Sequence, residues 1–419
     1  MSNMRVNNAI NNKDQIINKT ILLCGCKDIA SEFIRRHKNE LSIVGFYDLP
    51  DTLNRTKWSS IHPVKQSQKL NGAYNLHFIE DFQSIKNYVW VICQNGIYKN
   101  VIEEWLVCNN LESNVEFTYS FIIDMLLSTK KKCLLHGYYC YVRDIYHLFL
   151  SNSEMVNNFD FYVGIYDEPE ECSKFDRYLL QAINLCDYYI CNNDIENKRR
   201  FTKNEINPKI KIITFPAFYF GGLFPQSGNS RDMYMNEYYL ALIDGENSAF
   251  RYADHELNNL VTSGFTDEQI VEIVKDINYF DKEKVIKFFN TALRRLYLYE
   301  STCNIKVAQY IERTFQYKKL ICSNDHWSGN LLLEVVRQIA LSLGMSNTFG
   351  GLDGIVLPKR YQDIPVYPSV AKALGLSWVK SDTLYNVRFR TGEKSVVFEE
   401  YTLRYCRYIR QVQELKKVW

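Results

Sequence analysis

"TILLCGCKDIASEFIRRHKNELSIVGFYD", Thr20 to Asp48, decides the fold class. It reads as an apolar strand, a turn at Gly25, an amphipathic helix, and a second strand ending at Asp48. Farther on, "YVWVICQNGIYKNVIEEWL" (Tyr88 to Leu106) repeats strand, turn and helix. Such alternation implies a parallel sheet with crossover helices, an α/β architecture. The first turn departs from the dinucleotide fingerprint G-x-G-x-x-G. Gly25 supplies the first glycine, but Lys27 and Ala30 stand at the other two positions, and a lysine puts a side chain where backbone should approach a pyrophosphate. Asp48 stands where a ribose-binding acid would be. Gly25 and Asp48 are therefore weak candidates for a nucleotide site, and a structural or regulatory role weighs more.

Outward from there, "LLSTKKK" (Leu126 to Lys132) is charged, polar and without periodicity. It marks the expected boundary between a Rossmann-like domain at residues 1–128 and a larger α/β domain at residues 129–419. The second series opens with "CLLHGYYCYVRDIYHLFL", a strand, a glycine turn and a helix. It continues through "FDFYVGIYD", "SKFDRYLLQAINLCDYYICNN" and "KIKIITFP". Beyond Pro225 the pattern becomes mostly helical. In "LICSNDHWSGNLLLEVVRQIALSLGM" the residues Leu332, Val335, Val336, Ile339 and Leu343 fall on one helical face. Ser328 or Asn330 is placed to cap that helix, and Gly344 to end it.

Composition narrows the classes. At 419 residues and 46% apolar content the chain can bury ordinary cores. Fifty basic against 48 acidic residues leave a charge of +2, which gives no global pull toward nucleic acid or an anionic membrane. No apolar run approaches the ~18 residues of a membrane helix, and "MSNMRVNNAINNKDQIINK" lacks the apolar core of a signal peptide. The 12 cysteines mostly sit in apolar strand-like or helical runs, and only Cys24 and Cys26 are closely paired. That usage fits packing residues in a reduced, cytoplasmic protein, with no metal site expected.

Two turns carry the polar residues that catalysis would want. One is "LLHGYYCYV", with His136, Gly137, Tyr139 and Cys140; the other is "CSNDHWSGN", with Asn324, Asp325 and His326. Read as strand-to-helix turns on parallel neighbours, they would open into one crevice. His326 is then a general base, Asp325 or Asn324 orients it, and Cys140 at a helix start is a candidate nucleophile. The plain alternatives are a helix cap for the histidine and a packing role for the cysteine. Asp254 and His255 read equally as a helix cap, and "FPAFYFGGLFP" as a ligand-lining loop or a core corner.

Taken in order, these pieces from about Lys132 to Trp419 resemble the WcbI-type family of capsular polysaccharide biosynthesis acetyltransferases. "LLHGYYC" stands where the family has Gly-Asn-Cys-Gln after a strand, and "YYICNND" at its next strand end, with Asn192. "ITFPAFYFGGLFP" matches a Pro-aromatic-Phe-x-Gly-x-x-Pro segment holding Tyr219 and Phe220. "YADHELNNLVTSGFTDEQI" matches a Tyr-His-Asp-type helix start, "LICSNDHWSGN" a Thr-x-Asn-His-Pro turn, and "IPVYPSVAKALGLSW" the tail. The resemblance implies coenzyme A (as acetyl-CoA) for the acyl donor and a sugar or nucleotide-sugar acceptor, with other glycan-assembly enzymes as partners. It implies Gly137, Tyr138, Tyr139, Asn192, Tyr219, Phe220, Asp254, His255 and Asn324 as binding residues, beside His326, Cys140 and Asp325.

The chain also departs from the pattern. In an ungapped match Tyr138 replaces the asparagine, Tyr139 falls on the cysteine and Cys140 takes the glutamine position. Asp325 is inserted between Asn324 and His326, and Trp327 replaces the proline. Either the turn is shifted by one residue and Cys140 serves, or the nucleophile is absent. Two rival readings remain open. One is an SGNH-type sugar esterase, against which the lack of a serine in "HGYYCYV" weighs; the other is a non-catalytic ligand-binding protein.

Overall fold

The computed structural model describes residues 17, 20–25, 27–37, 39–48, 69–70, 74–75, 88–93, 116–166, 176–193, 206–216, 219–227, 250, 252–345, 349, 363–389 and 392–418. The chain divides into two compact units: residues 1–191 with 197–212, and residues 192–196 with 213–419.

The first unit holds the alternating part of the sequence. Strand β1 (Thr20–Gly25), helix α1 (Lys27–His37) and strand β2 (Ser42–Asp48) form as the opening stretch requires. On α1, Phe33 and Ile34 are buried while Arg35 and Arg36 face solvent. With β3 (Tyr88–Cys93) and β4 (Glu116–Tyr119) these strands make a four-stranded sheet in the order β2-β1-β3-β4, every pair parallel. Gly25 pairs in register with Asp48 on one side and Cys93 on the other. Both candidate nucleotide residues thus stand at the C-terminal edge of one sheet; the side chain of Asp48 lies outside the described residues.

Helix α2 (Ser120–Leu127) follows, and the segment Leu126 to Lys132 separates this sheet from a second one. The second sheet comprises β5 (Lys131–Tyr138), β6 (Phe159–Tyr166), β7 (Tyr188–Asn192) and β8 (Lys211–Phe215), in the order β8-β7-β5-β6. Strand β5 is parallel to both neighbours. It is buried without alternation from Cys133 to Gly137, as a strand covered on both faces must be. Helix α3 (Tyr139–Leu150) starts directly at its end. Helices α4 (Ser153–Asn158) and α5 (Asp176–Leu185) complete the crossovers.

The second unit is mainly helical, as the pattern beyond Pro225 requires. Helix α6 (His255–Thr262) is capped by Asp254, and α7 (Asp267–Lys275) opens with a reciprocal Thr266–Gln269 capping box. Between them Gly264 takes φ 85°, the left-handed value a tight helix exit needs. Helix α8 (Lys282–Tyr299) buries Val285, Phe289, Leu293 and Leu296 on one face. After α9 (Ala308–Thr314) come two very short strands, β9 (Ile321–Ser323) and β10 (His326–Trp327), and then α10 (Gly329–Ser342). All five residues expected on the inner face of α10 are buried. Helix α11 (Pro368–Leu374), the hairpin of β11 (Tyr385–Phe389) and β12 (Gly392–Val396), and helix α12 (Phe398–Val418) finish the unit. The aromatic face of α12 packs inward: Tyr401, Tyr405 and Tyr408 surround Phe250 with ring centroids 5.1–5.5 Å away.

Candidate functional site

The residues Asn324, Asp325 and His326 do not lie on a strand-to-helix turn. They make a hairpin: β9 pairs antiparallel with β10, Ile321 opposite Trp327 and Ser323 opposite His326, with Asn324 and Asp325 at the bend. This corrects the expectation that β9 and β5 are parallel neighbours. Strand β9 has only three residues before the chain folds back, and its Cys322 carbonyl accepts the Ile364 N–H at 2.7 Å, so its partners come from elsewhere. The helix start differs too. Ser328 occupies the N-cap of α10 without a side-chain capping bond. Its hydroxyl donates instead to the Lys319 carbonyl at 2.7 Å, as does the Asn330 amide at 3.1 Å. Both side chains tie the beginning of the hairpin to the beginning of the helix.

Further bonds fix the hairpin. The Phe220 N–H donates to the Asn324 carbonyl at 2.7 Å, and the Asn324 amide donates to Ser227 Oγ at 2.9 Å. The loop from Tyr219 to Ser227 therefore runs along the bend. Asn324 Oδ1 is buried and has no hydrogen-bond partner among the described residues; a Cβ added at Gly221 would stand 3.2 Å from it. Beneath the hairpin, Lys319 Nζ pairs with Asp363 Oδ2 at 2.7 Å, the carboxylate being wholly buried. Burial opposes the Lys319 charge, but Asp363 more than compensates and raises its pKa.

At the centre sits His326, 5% exposed. Its Nδ1 lies 2.9 Å from Asp325 Oδ1, 2.9 Å from Ser323 Oγ and 2.8 Å from the Tyr252 hydroxyl. Tyr252 donates to Asp325 Oδ1 at 2.5 Å. The Asp325 side chain is 45% exposed. Its surroundings still disfavour the charge, but the hydrogen bond and charge of His326, then the bonds from Tyr252 and Ser323, outweigh that and lower the carboxyl to about 2. An ionised aspartate thus stands against an imidazole, the pairing that orients a histidine for proton transfer.

The other candidates of the second unit take varied places, and Tyr219, Phe220 and Asn324 are those tied to this hairpin. Tyr219 is exposed, and after partial burial it is the Asp325 charge that raises its hydroxyl pKa. Phe220 is buried edge-on to Phe289. Asp254 is the cap of α6, accepting from the Leu257 N–H at 3.0 Å and from the Tyr367 hydroxyl, with burial pushing it up to about 7. It forms an isolated bridge with Ser227, the partner of Asn324. His255 begins α6 on the exposed side, and Asn192 is buried at the end of β7. Two participants escape sequence reasoning: Tyr252, within the quoted "YADHELNN", and Ser323, at the end of β9.

In the first unit, Gly137 is buried in β5, with Tyr138 closing the strand and Tyr139 and Cys140 opening α3. The side chains of these last three lie outside the described residues. His136 is buried, its Nδ1 2.6 Å from the Tyr189 hydroxyl.

The comparisons with known proteins bear on the part of the chain that holds the His326 cluster. A family model described as "Polysaccharide biosynthesis enzyme WcbI" matches residues 179–348. Residues 179–348 match the WcbI family. That span contains every residue of the cluster from Tyr219 to His326 and stops short of the Gly137–Cys140 turn. A solved structure, described as structural insights into WcbI, a novel polysaccharide biosynthesis enzyme, shares the fold. It is the native protein without a disulfide bond between coenzyme A and a cysteine of its own. The similarity covers 68% of this chain and 93% of that one at 15% identity, with a TM-score of 0.52. No curated protein matches the chain. Among the described residues no group of His, Cys, Asp and Glu side chains is placed to hold a metal ion, and no helix is long and apolar enough to cross a membrane.

Proposed function

We propose that the protein transfers an acyl group, acetyl in the simplest case, from coenzyme A to a sugar hydroxyl in the assembly of a surface polysaccharide such as a capsule. The observation that carries this reading is the Asp325–His326 pair, with Tyr252 and Ser323 about its Nδ1, inside the segment that matches the WcbI family. Coenzyme A as the donor is supported by the solved WcbI structure that names it.

In the reaction the acceptor hydroxyl gives its proton to His326 Nε2 as its oxygen attacks the thioester carbonyl. The tetrahedral intermediate collapses with cleavage of the C–S bond, and the imidazolium returns the proton to the departing thiolate. Asp325 stabilises the imidazolium formed in between. If the acyl group passes first to a thiol of the protein, Cys140 is the candidate that the sequence offers, and Cys140→Ala separates the two routes.

The test is coenzyme A release from acetyl-CoA across a panel of sugar and nucleotide-sugar acceptors. His326→Ala should lower turnover by about 10²–10⁴-fold, the usual range for loss of a general base. Release that needs no acceptor and survives that change would overturn the reading, and hydrolysis of acetylated sugars without use of the thioester would place the protein among the esterases.

A further inference from the structure

Three side-chain oxygens crowd one ring nitrogen. Besides their distances to His326 Nδ1, they are bonded to one another. The Tyr252 hydroxyl and Asp325 Oδ1 are 2.5 Å apart, Ser323 Oγ and Asp325 Oδ1 3.0 Å, and Ser323 Oγ and the Tyr252 hydroxyl 3.0 Å. Counting protons decides how such a group is satisfied. An ionised carboxylate only accepts, each hydroxyl carries one proton, and a neutral ring nitrogen carries either a proton or a lone pair. A lone pair on Nδ1 would face Asp325 Oδ1 across 2.9 Å with no proton between them. It would also draw one hydroxyl proton away from the carboxylate. A proton on Nδ1 removes both conflicts. The ring, tyrosine and serine protons then all converge on Asp325 Oδ1.

We propose that Tyr252, assisted by Ser323, is a positioning residue that saturates Asp325 Oδ1 and thereby holds His326 as its Nδ1–H tautomer, leaving Nε2 as the nitrogen that exchanges protons with substrate. The elements that carry it are well anchored. Ser323 is fully buried at the end of β9, and Tyr252 is 3% exposed with its ring set edgewise to the imidazole at 75°. Two residues beyond Tyr252, the Asp254 N–H donates to the Tyr405 hydroxyl at 2.8 Å, and the His255 N–H donates to the Gln226 carbonyl at 2.9 Å. The tyrosine thus enters on a segment pinned immediately after it. The free imidazole favours the opposite tautomer, so the network works against an intrinsic preference, which makes its effect visible.

The catalytic consequence rests on the acyl-transfer reading, but the tautomer does not. The experiment is a long-range ¹H–¹⁵N correlation spectrum of the full chain labelled at histidine, taken where the ring is neutral, with His326 assigned by its loss in His326→Gln. Wild type should show a pyrrole-like Nδ1 and a pyridine-like Nε2. Tyr252→Phe, which keeps the ring and removes one proton, should move both signals toward the other tautomer, and Ser323→Ala should do so less. With acetyl-CoA and acceptor, Tyr252→Phe should lower kcat roughly tenfold with KM unchanged, about the worth of one hydrogen bond. A pyridine-like Nδ1 in wild type overturns the inference, as does a pattern that Tyr252→Phe leaves unmoved. Should Tyr252→Phe not fold, the Ser323→Ala spectrum decides alone. If no acyl transfer is found, the spectra still decide; if His326→Ala abolishes turnover while the tautomer is indifferent to Tyr252, this inference falls and the function stands.

Discussion

Asp254 and Asp325 stand in the same unit and are pushed in opposite directions. Burial, offset in part by the Leu257 N–H and the Tyr367 hydroxyl, raises Asp254 to about 7. The unfolded chain releases that proton near pH 4, so between about pH 4 and 7 the folded state binds the extra proton. Its contribution to stability is full below the ordinary carboxylate range and declines as pH rises through the folded value. For Asp325, lowered to about 2, the sign reverses: its contribution is full above the ordinary range and is lost as pH falls toward 2. Asp254→Asn keeps a capping side chain and abolishes the first effect. Denaturant unfolding at about pH 5 and about pH 8 checks it. The wild type should lose stability relative to the variant between those values; a constant difference would show that Asp254 ionises normally in the fold.

At the scale of the element, the β9–β10 hairpin rests on the ion pair of Lys319, a quarter exposed, with the wholly buried Asp363 carboxylate below it. Removing one partner strands the other charge, so Asp363→Ala should cost about 3–5 kcal/mol of unfolding free energy. Apolar replacement of both residues should recover only part of that, because the Asn386 N–H, bonded to Asp363 Oδ2 at 2.7 Å, would stay unpaired. A helix cap is worth less: Thr266→Ala removes one half of the α7 capping box and should cost about 1 kcal/mol in the same measurement. What the sequence made legible follows the same scale. The unit from β1 through α1 to β2, and the inner face of α10, are spelled by local periodicity, and they form where that periodicity puts them. The hairpin is not legible, since two residues, His326 and Trp327, cannot display an alternation. Tyr252 is invisible for another reason: 74 positions separate it from His326, and nothing near it in sequence signals a partner so far away.

For the molecule as a whole, the candidates read from the sequence fall into two sets. Asn192, Tyr219, Phe220, Asp254, His255, Asn324, Asp325 and His326 belong to the second unit, while Gly25, Asp48 and the turn from Gly137 to Cys140 belong to the first. Buried free thiols occur in both. Burial raises the thiols of Cys186 and Cys406 to about 12, and Cys133 is pushed higher still. An alkylating reagent at neutral pH should leave Cys133, Cys186, Cys191 and Cys406 unmodified in the native protein and label them on unfolding, as peptide mass spectrometry would read. Rapid native labelling of these four would mean that the cores open far more readily than their packing suggests. The central claim is that the second unit's imidazole moves the proton of the acyl-transfer step. It is tested most directly by kcat/KM for coenzyme A release in wild type and His326→Gln, each shown to be folded. The account predicts a fall of about 10²-fold or more with acetyl-CoA binding retained; equal turnover in the two proteins would contradict it.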